Sequence, residues 1–581
     1  MAGSRLGSMK ALYLEKISGN PERLQEKNSQ TVMGAKVFEW NLLCALLEHG
    51  TYDAYLSPGV TEEGKRQLVE EGLSAGNVDR LSPAPLGSAL PVQDSDQVVL
   101  LTPGRHLDVL ANLRSKIQKY RAPICGFIHS INSARFVFTL LQQCFVGLFK
   151  ADLLLCSSRA GMQTIDMYIE EIERLLPAGM RYPARRALVP LGVSIPKVEQ
   201  DGGNALRLRL GLKAADCLAL YCGRLSQSSK CDLGPLLVAL SLLLQRGAEL
   251  HLVIAGDDTQ TQEAPRLLVL AKELGCQKNV TIWPNPSVAE KHLLYSEADI
   301  FVSPSDNIQE TFGLTVAEAM AYGLPCVVSD WDGYRDLVRN GENGFLVPSI
   351  FPTHIEELRL CDSTISMLQE DALAQSTAID VGILSESLEQ LAANPALRRR
   401  FGQAARRYVE NNCSWRVVIR RYEELWQESL EAAQTADSSG KAAAHNLLVS
   451  PLEKYFGHYA KAKRDEGTKC FMTEEGQKWL QRPGRLYFLS QISSVPCPQQ
   501  FADMLRDIAE RPGLSVADVV KSSLNGSYGN GTDSASVSNA HWTLARLFKY
   551  GLVSNKQLRS RSHDWDTSKG DGHRIRRSFL R

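Results

Sequence analysis

"ADIFVSPSDNIQETFGLTVAEAMAYGLPCVVSD", residues 298–330, decides the fold. Its first eight residues form an apolar β-type run, "LTVAEAMAYG" (314–323) has helical spacing ending at a glycine suited to a left-handed cap, and "PCVVSD" (325–330) is a second apolar run. A strand, a helix and a strand that is apolar on both faces make a βαβ unit of a covered parallel sheet. Two acids, Glu310 and Glu318, stand eight residues apart within it.

Working outward, the same grammar fills two stretches of the chain. Apolar runs at 217–223, 249–256, 279–284 and 344–349 flank the opening segment, with helix-type residues such as 234–247 between them. Upstream, runs at 10–16, 51–57, 97–103, 123–129, 151–157 and 187–193 alternate with amphipathic segments such as 37–50 and 106–120. The expected fold class is α/β: two Rossmann-like, doubly wound domains, 1–195 and 196–411, facing each other across a cleft. The glycine- and charge-rich stretch 196–215 reads as the connection between them. Helical sequence broken at Pro395 and near Cys413 follows, then a small polar linker at 434–445. Residues 446–555 read as a mostly helical, winged-helix-like accessory domain, and 556–581, with eight basic and three acidic residues, as a disordered basic tail.

Composition bounds the function. Lys plus Arg and Asp plus Glu both number 65, so no global field draws the 581-residue chain to nucleic acid or an acidic membrane. Thirteen cysteines lie singly, mostly in apolar runs and without a C-x-x-C pair, which points to reduced thiols in a cytoplasmic protein. No uncharged apolar run reaches the roughly 18 residues of a membrane span, and "FVFTLLQQCFVGLF" (136–149) reads as a core helix.

The candidate site residues carry two readings each. Thr315 as N-cap and Glu318 three residues on would form a capping box, yet the amides at that helix start, Gly313 among them, would also bind an anion, beside which a carboxylate holds sugar hydroxyls. Glu310, on the preceding loop, is either solvated or a ligand to hydroxyls. Arg224 and Lys230, just beyond a strand end, are surface cations or the partners of a diphosphate. Gly256, closing "LVIAG", serves a tight turn or the approach of a ligand to the backbone. His129, closing "PICGFIH", is structural or faces the cleft.

These motifs, namely "GRL…K", "LVIAGDD", the Glu310–Glu318 pair within "ETFGLTVAEAMAYGLPCVVSD" and "NGENGFLVP", with "VPLGVSIPK" and the 394–426 helices, resemble in order and spacing the retaining nucleotide-sugar glycosyltransferases of family 4, which have the two-Rossmann GT-B fold. The resemblance spans about residues 9 to 430, and its last helix, 412–433, would cross back to the first domain. It implies transfer of a sugar from a nucleoside-diphosphate sugar, such as a UDP- or GDP-sugar, to a carbohydrate, lipid-linked or small-molecule hydroxyl, with no metal and no other cofactor. Arg224 and Lys230 would hold the diphosphate. Glu310 would hold hydroxyls of the transferred sugar, Glu318 the ribose, and the amides of Phe312, Gly313, Leu314 and Thr315 the sugar and phosphate. His129 would lie near the sugar, and Gly34 in "TVMGAK" would match the family's first glycine loop. Arg224, His129, Lys230 and Glu310 would be the catalytic set.

Two departures from the family pattern stand out. Arg224 and Lys230 are six apart, with Cys231 after the lysine, where many relatives have five and a glycine. Asp332-Gly333-Tyr334 stands where relatives often carry two glycines and a glutamate, leaving Trp331 and Tyr334 to line a sugar or acceptor wall or to pack the cleft. Two alternatives remain: a nucleotide-sugar-sensing regulatory or nucleic-acid-binding protein, or a GT-B phosphorylase or epimerase. Against nucleic acid as a partner, "NAHWTLARLFKYG" offers only Arg546 and Lys549. Homo-oligomer formation through the accessory domain and peripheral contact with the inner membrane complete the expectations.

Overall fold

The computed structural model describes residues 9–15, 34–58, 60–84, 97–116, 122–196, 204–227, 229–259, 261–308, 310–351, 376–435, 466–481, 498–525, 534–549 and 552–555. The chain divides into two compact units, Met1–Ser450 and Pro451–Arg581. The expected basic tail, most of the expected linker and residues 16–33 ahead of Gly34 lie outside the described residues.

The first unit holds two parallel sheets. One comprises β1 (Lys10–Leu14), β2 (Ala54–Ser57), β3 (Leu81–Pro83), β4 (Gln97–Leu101), β5 (Ile124–Phe127), β6 (Leu153–Cys156) and β7 (Arg185–Leu188), in the order β3-β2-β1-β4-β5-β6-β7. The other comprises β8 (Leu218–Cys222), β9 (His251–Gly256), β10 (Val280–Pro284), β11 (Ile300–Ser303), β12 (Cys326–Ser329) and β13 (Gly344–Val347), in the order β10-β9-β8-β11-β12-β13. The central strands are almost wholly buried, as continuous apolar runs in a sheet covered on both faces require, while the edge strands β3, β7, β10 and β13 are partly exposed. The short, half-polar β3 escaped the sequence reading. In each sheet the order reverses once, between β1 and β4 and between β8 and β11, and a crevice opens at the carboxyl ends of such a pair.

The helix Trp415–Thr435 packs against the first domain. Trp415 packs on Gly192, where a Cβ would fall 2.2 Å from the indole. The Glu423 carboxylate accepts from the Thr51 N–H (2.6 Å) and hydroxyl (2.9 Å), Arg185 donates to Ser429 (2.9 Å), and Tyr52 meets Trp426 edge to face. The segment read as a connection is not wholly irregular: Ala205–Leu210 is helical and ends on Gly211 at φ 69°, its first amides accepted by the buried Glu297 carboxylate. The helix breaks fall where Pro395 and Cys413 stand, giving Val381–Ala393 and Pro395–Asn412 before the last helix. A short antiparallel pair, β14 (Ser349–Ile350) with β15 (Ala378–Ile379), precedes them. Among the described residues no helix is long and apolar enough to cross a membrane, and 134–143 forms an ordinary helix with Phe136 and Leu140 in the core.

The second unit, taken by itself, has an antiparallel sheet with β16 (Lys469–Met472) between β17 (Leu514–Ser515) and β18 (Val553–Ser554). Helices Pro498–Glu510, Val516–Asn525 and Ser534–Lys549 bury Phe501, Leu505, Ile508, Val519, Leu544 and Leu547 against Cys470. This unit is mostly helical, with β16 and the helix Glu474–Gln481 as elements not foreseen.

Candidate active site

β8 and β11 are hydrogen-bonded neighbours, and the loops leaving their carboxyl ends carry Arg224 to Lys230 and Glu310 to Gly313. The switch point therefore brings two cations and an acid, far apart in sequence, to one place. The Lys230 ammonium pairs with Glu310 Oε2, their side chains only 11% and 14% exposed. Glu310 Oε1 accepts from the Gly313 N–H at 2.9 Å. Burial opposes both charges, but each offsets the other: the Lys230 ammonium is held above its ordinary range and the Glu310 carboxyl below its own. Arg224 folds over the loop instead, donating to Ser229 Oγ (3.0 Å) and the Ser229 carbonyl (2.9 Å).

Glu310 thus has a structural role that the sequence reading denied it, and the capping box is not formed. The N-cap of Leu314–Ala321 is Gly313, at φ 99°, with no side-chain cap. Thr315 lies inside the first turn, its hydroxyl buried without a partner among the described residues. The reason is steric: a Cβ on Gly313 would lie 2.6 Å from the Tyr334 ring, so only glycine makes this turn, and the Glu310 carboxylate meets its N–H from the preceding loop. Glu318 consequently sits one turn into the helix, where Tyr295 donates to its Oε2 at 3.3 Å. Tyr295 stacks on Tyr322 behind it. The αL residue expected at the far end is present, Gly323 at φ 80°.

Other candidates have explanations within the protein. A Cβ on Gly256 would stand 1.5 Å from the Gly223 carbonyl oxygen, so this glycine is required by the neighbouring backbone that leads into Arg224. Tyr334 is fully buried beneath Gly313, its hydroxyl 2.8 Å from Ser303 Oγ, and lines no wall. Trp331 donates to the Asn307 carbonyl (3.0 Å) and stacks on Phe351. Gly34 is the first residue of the helix Gly34–His49, and the rest of its expected loop lies outside the described residues.

The first domain closes the other side. His129 lies beyond the end of β5; its Nε2 donates to the Pro103 carbonyl (2.8 Å) and its ring meets Phe38 edge to face. The His129 carbonyl accepts from Thr311 (3.0 Å), Ser157 donates to the Thr311 carbonyl (3.4 Å), and Arg159 pairs with Asp336 (2.6 Å). The residue next to Glu310 is therefore gripped by the ends of two first-domain strands. Thr311, Ser157 and Ser158 were missed by sequence reasoning because short hydroxyl residues in loops carry no spacing signal. Asp332 was read only as a departure in the "WDGY" turn; burial, with Glu310 nearby, pushes its carboxyl up to about 7.

Chemically, the arrangement offers a largely buried carboxylate and a partnered ammonium at a helix start, beside a second cation. Exposed amides at a helix start and fixed cations suit an anion such as a diphosphate.

Comparison with known proteins agrees. Residues 206–358 match the family described as "Glycosyl transferases group 1". The chain is 34% identical over 184 residues to the D-inositol 3-phosphate glycosyltransferase of Mycolicibacterium gilvum, covering 31% of this chain and 40% of that one. It is 32% identical over 159 residues to the phosphatidyl-myo-inositol mannosyltransferase of Mycobacterium tuberculosis, covering 27% and 39%. The chain thus spans about two fifths of the length of these relatives. Among solved structures, the sucrose-phosphate synthase of Thermosynechococcus elongatus aligns at a TM-score of 0.46 with 17% identity, over 73% of this chain and 100% of that one. The family match begins before β8 and runs past β13, so it spans the second parallel sheet.

Proposed function

We propose that the protein is a retaining glycosyltransferase that moves a sugar from a nucleoside-diphosphate sugar to the hydroxyl of a carbohydrate, lipid-linked or small-molecule acceptor. The observation that carries this reading is the Lys230–Glu310–Gly313 chain at the β8/β11 switch point, inside the segment that matches the group 1 family.

In this reading the diphosphate lies against Arg224, Lys230 and the amides of Phe312, Leu314 and Thr315, the Gly313 N–H being held by Glu310. Glu310 accepts hydroxyls of the transferred sugar, and Glu318, braced by Tyr295, accepts those of the ribose. As the bond from the anomeric carbon to the diphosphate oxygen breaks, negative charge grows on the leaving group. Lys230 and the amides already face it, so little reorganisation is needed. The acceptor oxygen bonds to the same face of that carbon, and its proton passes to the departing diphosphate. Glu310 positions the sugar rather than attacking it, since its carboxylate is committed to Lys230 and Gly313. Relatives named for inositol phosphate and phosphatidylinositol make polyol and lipid-linked acceptors the first to try. Single free cysteines fit a reducing compartment, and the proposal places the protein in the cytoplasm.

The test is incubation of the full chain with UDP-glucose and GDP-mannose, with release of the nucleoside diphosphate measured. Release that disappears in Glu310→Ala supports the reading; full activity in that variant refutes the site.

A further inference from the structure

We infer that Asp332 is a second carboxylate ligand for a hydroxyl of the transferred sugar, an assignment that rests on the glycosyltransferase reading of this site. Asp332 adopts φ 39°, a conformation that glycine takes freely and other residues take at a cost, and its turn is pressed against the Glu310 loop. A Cβ on Gly333 would stand 2.6 Å from the Phe312 Cα, and the Trp331 indole is tied to Asn307 on that same loop. The Asp332 carboxylate is thereby fixed relative to Glu310.

The Gly333 backbone and Ser158 of the first domain lie beside it. Its Oδ1 is buried and has no partner among the described residues. A buried acceptor without a donor is costly. A glycine at this position would remove both that cost and the backbone strain, so the carboxylate is kept for what it binds.

The nearby charges narrow the ligand. Lys230 is committed to Glu310 and Arg224 to Ser229, so neither cation serves Asp332. Glu310 beside it repels a further anion. A neutral donor is what remains, and beside an acid assigned to sugar hydroxyls that donor is another hydroxyl of the same sugar.

The experiment compares the full-length wild type with Asp332→Gly and Asp332→Asn by calorimetric titration with UDP, GDP, UDP-glucose and GDP-mannose. Asp332→Gly should melt at or above the wild-type temperature, because φ is relaxed. Its affinity for the bare diphosphates should stay within about twofold, while affinity for the sugar nucleotide that the wild type prefers falls about tenfold, the loss of one hydrogen bond to a charged group. Asp332→Asn should fall less. Equal affinity for that sugar nucleotide in wild type and Asp332→Gly overturns the assignment alone. An equal loss for bare diphosphate and sugar nucleotide also overturns it, since the turn then only shapes the loop. A wild type that binds none of the four ligands overturns the glycosyltransferase reading itself.

Discussion

Removing the charge of Glu310 while keeping its shape, Glu310→Gln, is the most informative single change. The glutamine still accepts from the Gly313 N–H, so the loss falls on Lys230, whose ammonium is left in a site where its side chain is only 11% exposed. Breaking a buried pair from one side costs about 3 to 5 kcal/mol; the residual exposure of both partners argues for the lower end, about 3 kcal/mol. Lys230→Met should cost a similar amount by stranding the carboxylate. The double variant removes both charges and should lose less than the sum, with a coupling of about 2 kcal/mol. Urea unfolding of the four proteins, followed by tryptophan fluorescence on one transition, measures this. Additivity within about 0.5 kcal/mol would show that the two groups do not support each other and would refute the reasoning. The pair should be insensitive to pH near neutrality. Its carboxylate contribution is lost only as pH falls through the depressed Glu310 value, and its ammonium contribution only as pH rises through the elevated Lys230 value.

Other outcomes follow from the same geometry. Gly256→Ala places a methyl 1.5 Å from the Gly223 carbonyl, so β8 and β9 must part; a loss of about 3 kcal/mol by urea unfolding is expected, and an unchanged midpoint would contradict it. Asp306 is 1% exposed, with Oδ1 unpartnered, and burial pushes its carboxyl up to about 8. Because the folded state keeps a proton that the unfolded chain releases, its contribution is full below about pH 4 and declines as pH rises to 8, by at most about 1.4 kcal/mol per unit. Asp306→Asn should therefore gain stability over wild type between pH 5 and 8, and parallel profiles would count against this. Tyr295→Phe removes one hydrogen bond to the Glu318 carboxylate and should raise the KM for the sugar nucleotide several-fold with kcat nearly unchanged, whereas an equal fall in kcat would implicate the fold behind it.

The α/β alternation was legible because strands buried on both faces leave unbroken apolar runs such as "LALYC" and "HLVIAG". The breaks at Pro395 and Cys413 were legible because proline and local turn chemistry act within a few residues. What escaped notice depends on distance through space. Nothing near Gly256 announces the Gly223 carbonyl, and nothing near Thr315 announces that Tyr334 would force the turn onto Gly313 and shift the helix start. Lys230 and Glu310 were both singled out, but for separate ligand contacts. Their mutual pairing arises only when β8 and β11 become neighbours in the sheet.

The central claim, that the β8/β11 switch point is a donor-sugar site, is met most directly by one measurement: the rate of nucleoside diphosphate release from UDP-glucose and GDP-mannose by wild type and Glu310→Ala, side by side. The account predicts release by the wild type from at least one donor and a fall of at least about a hundredfold in the variant, the scale of removing a preorganised charged contact. Equal rates in the two proteins, or no release and no binding by the wild type, would contradict it.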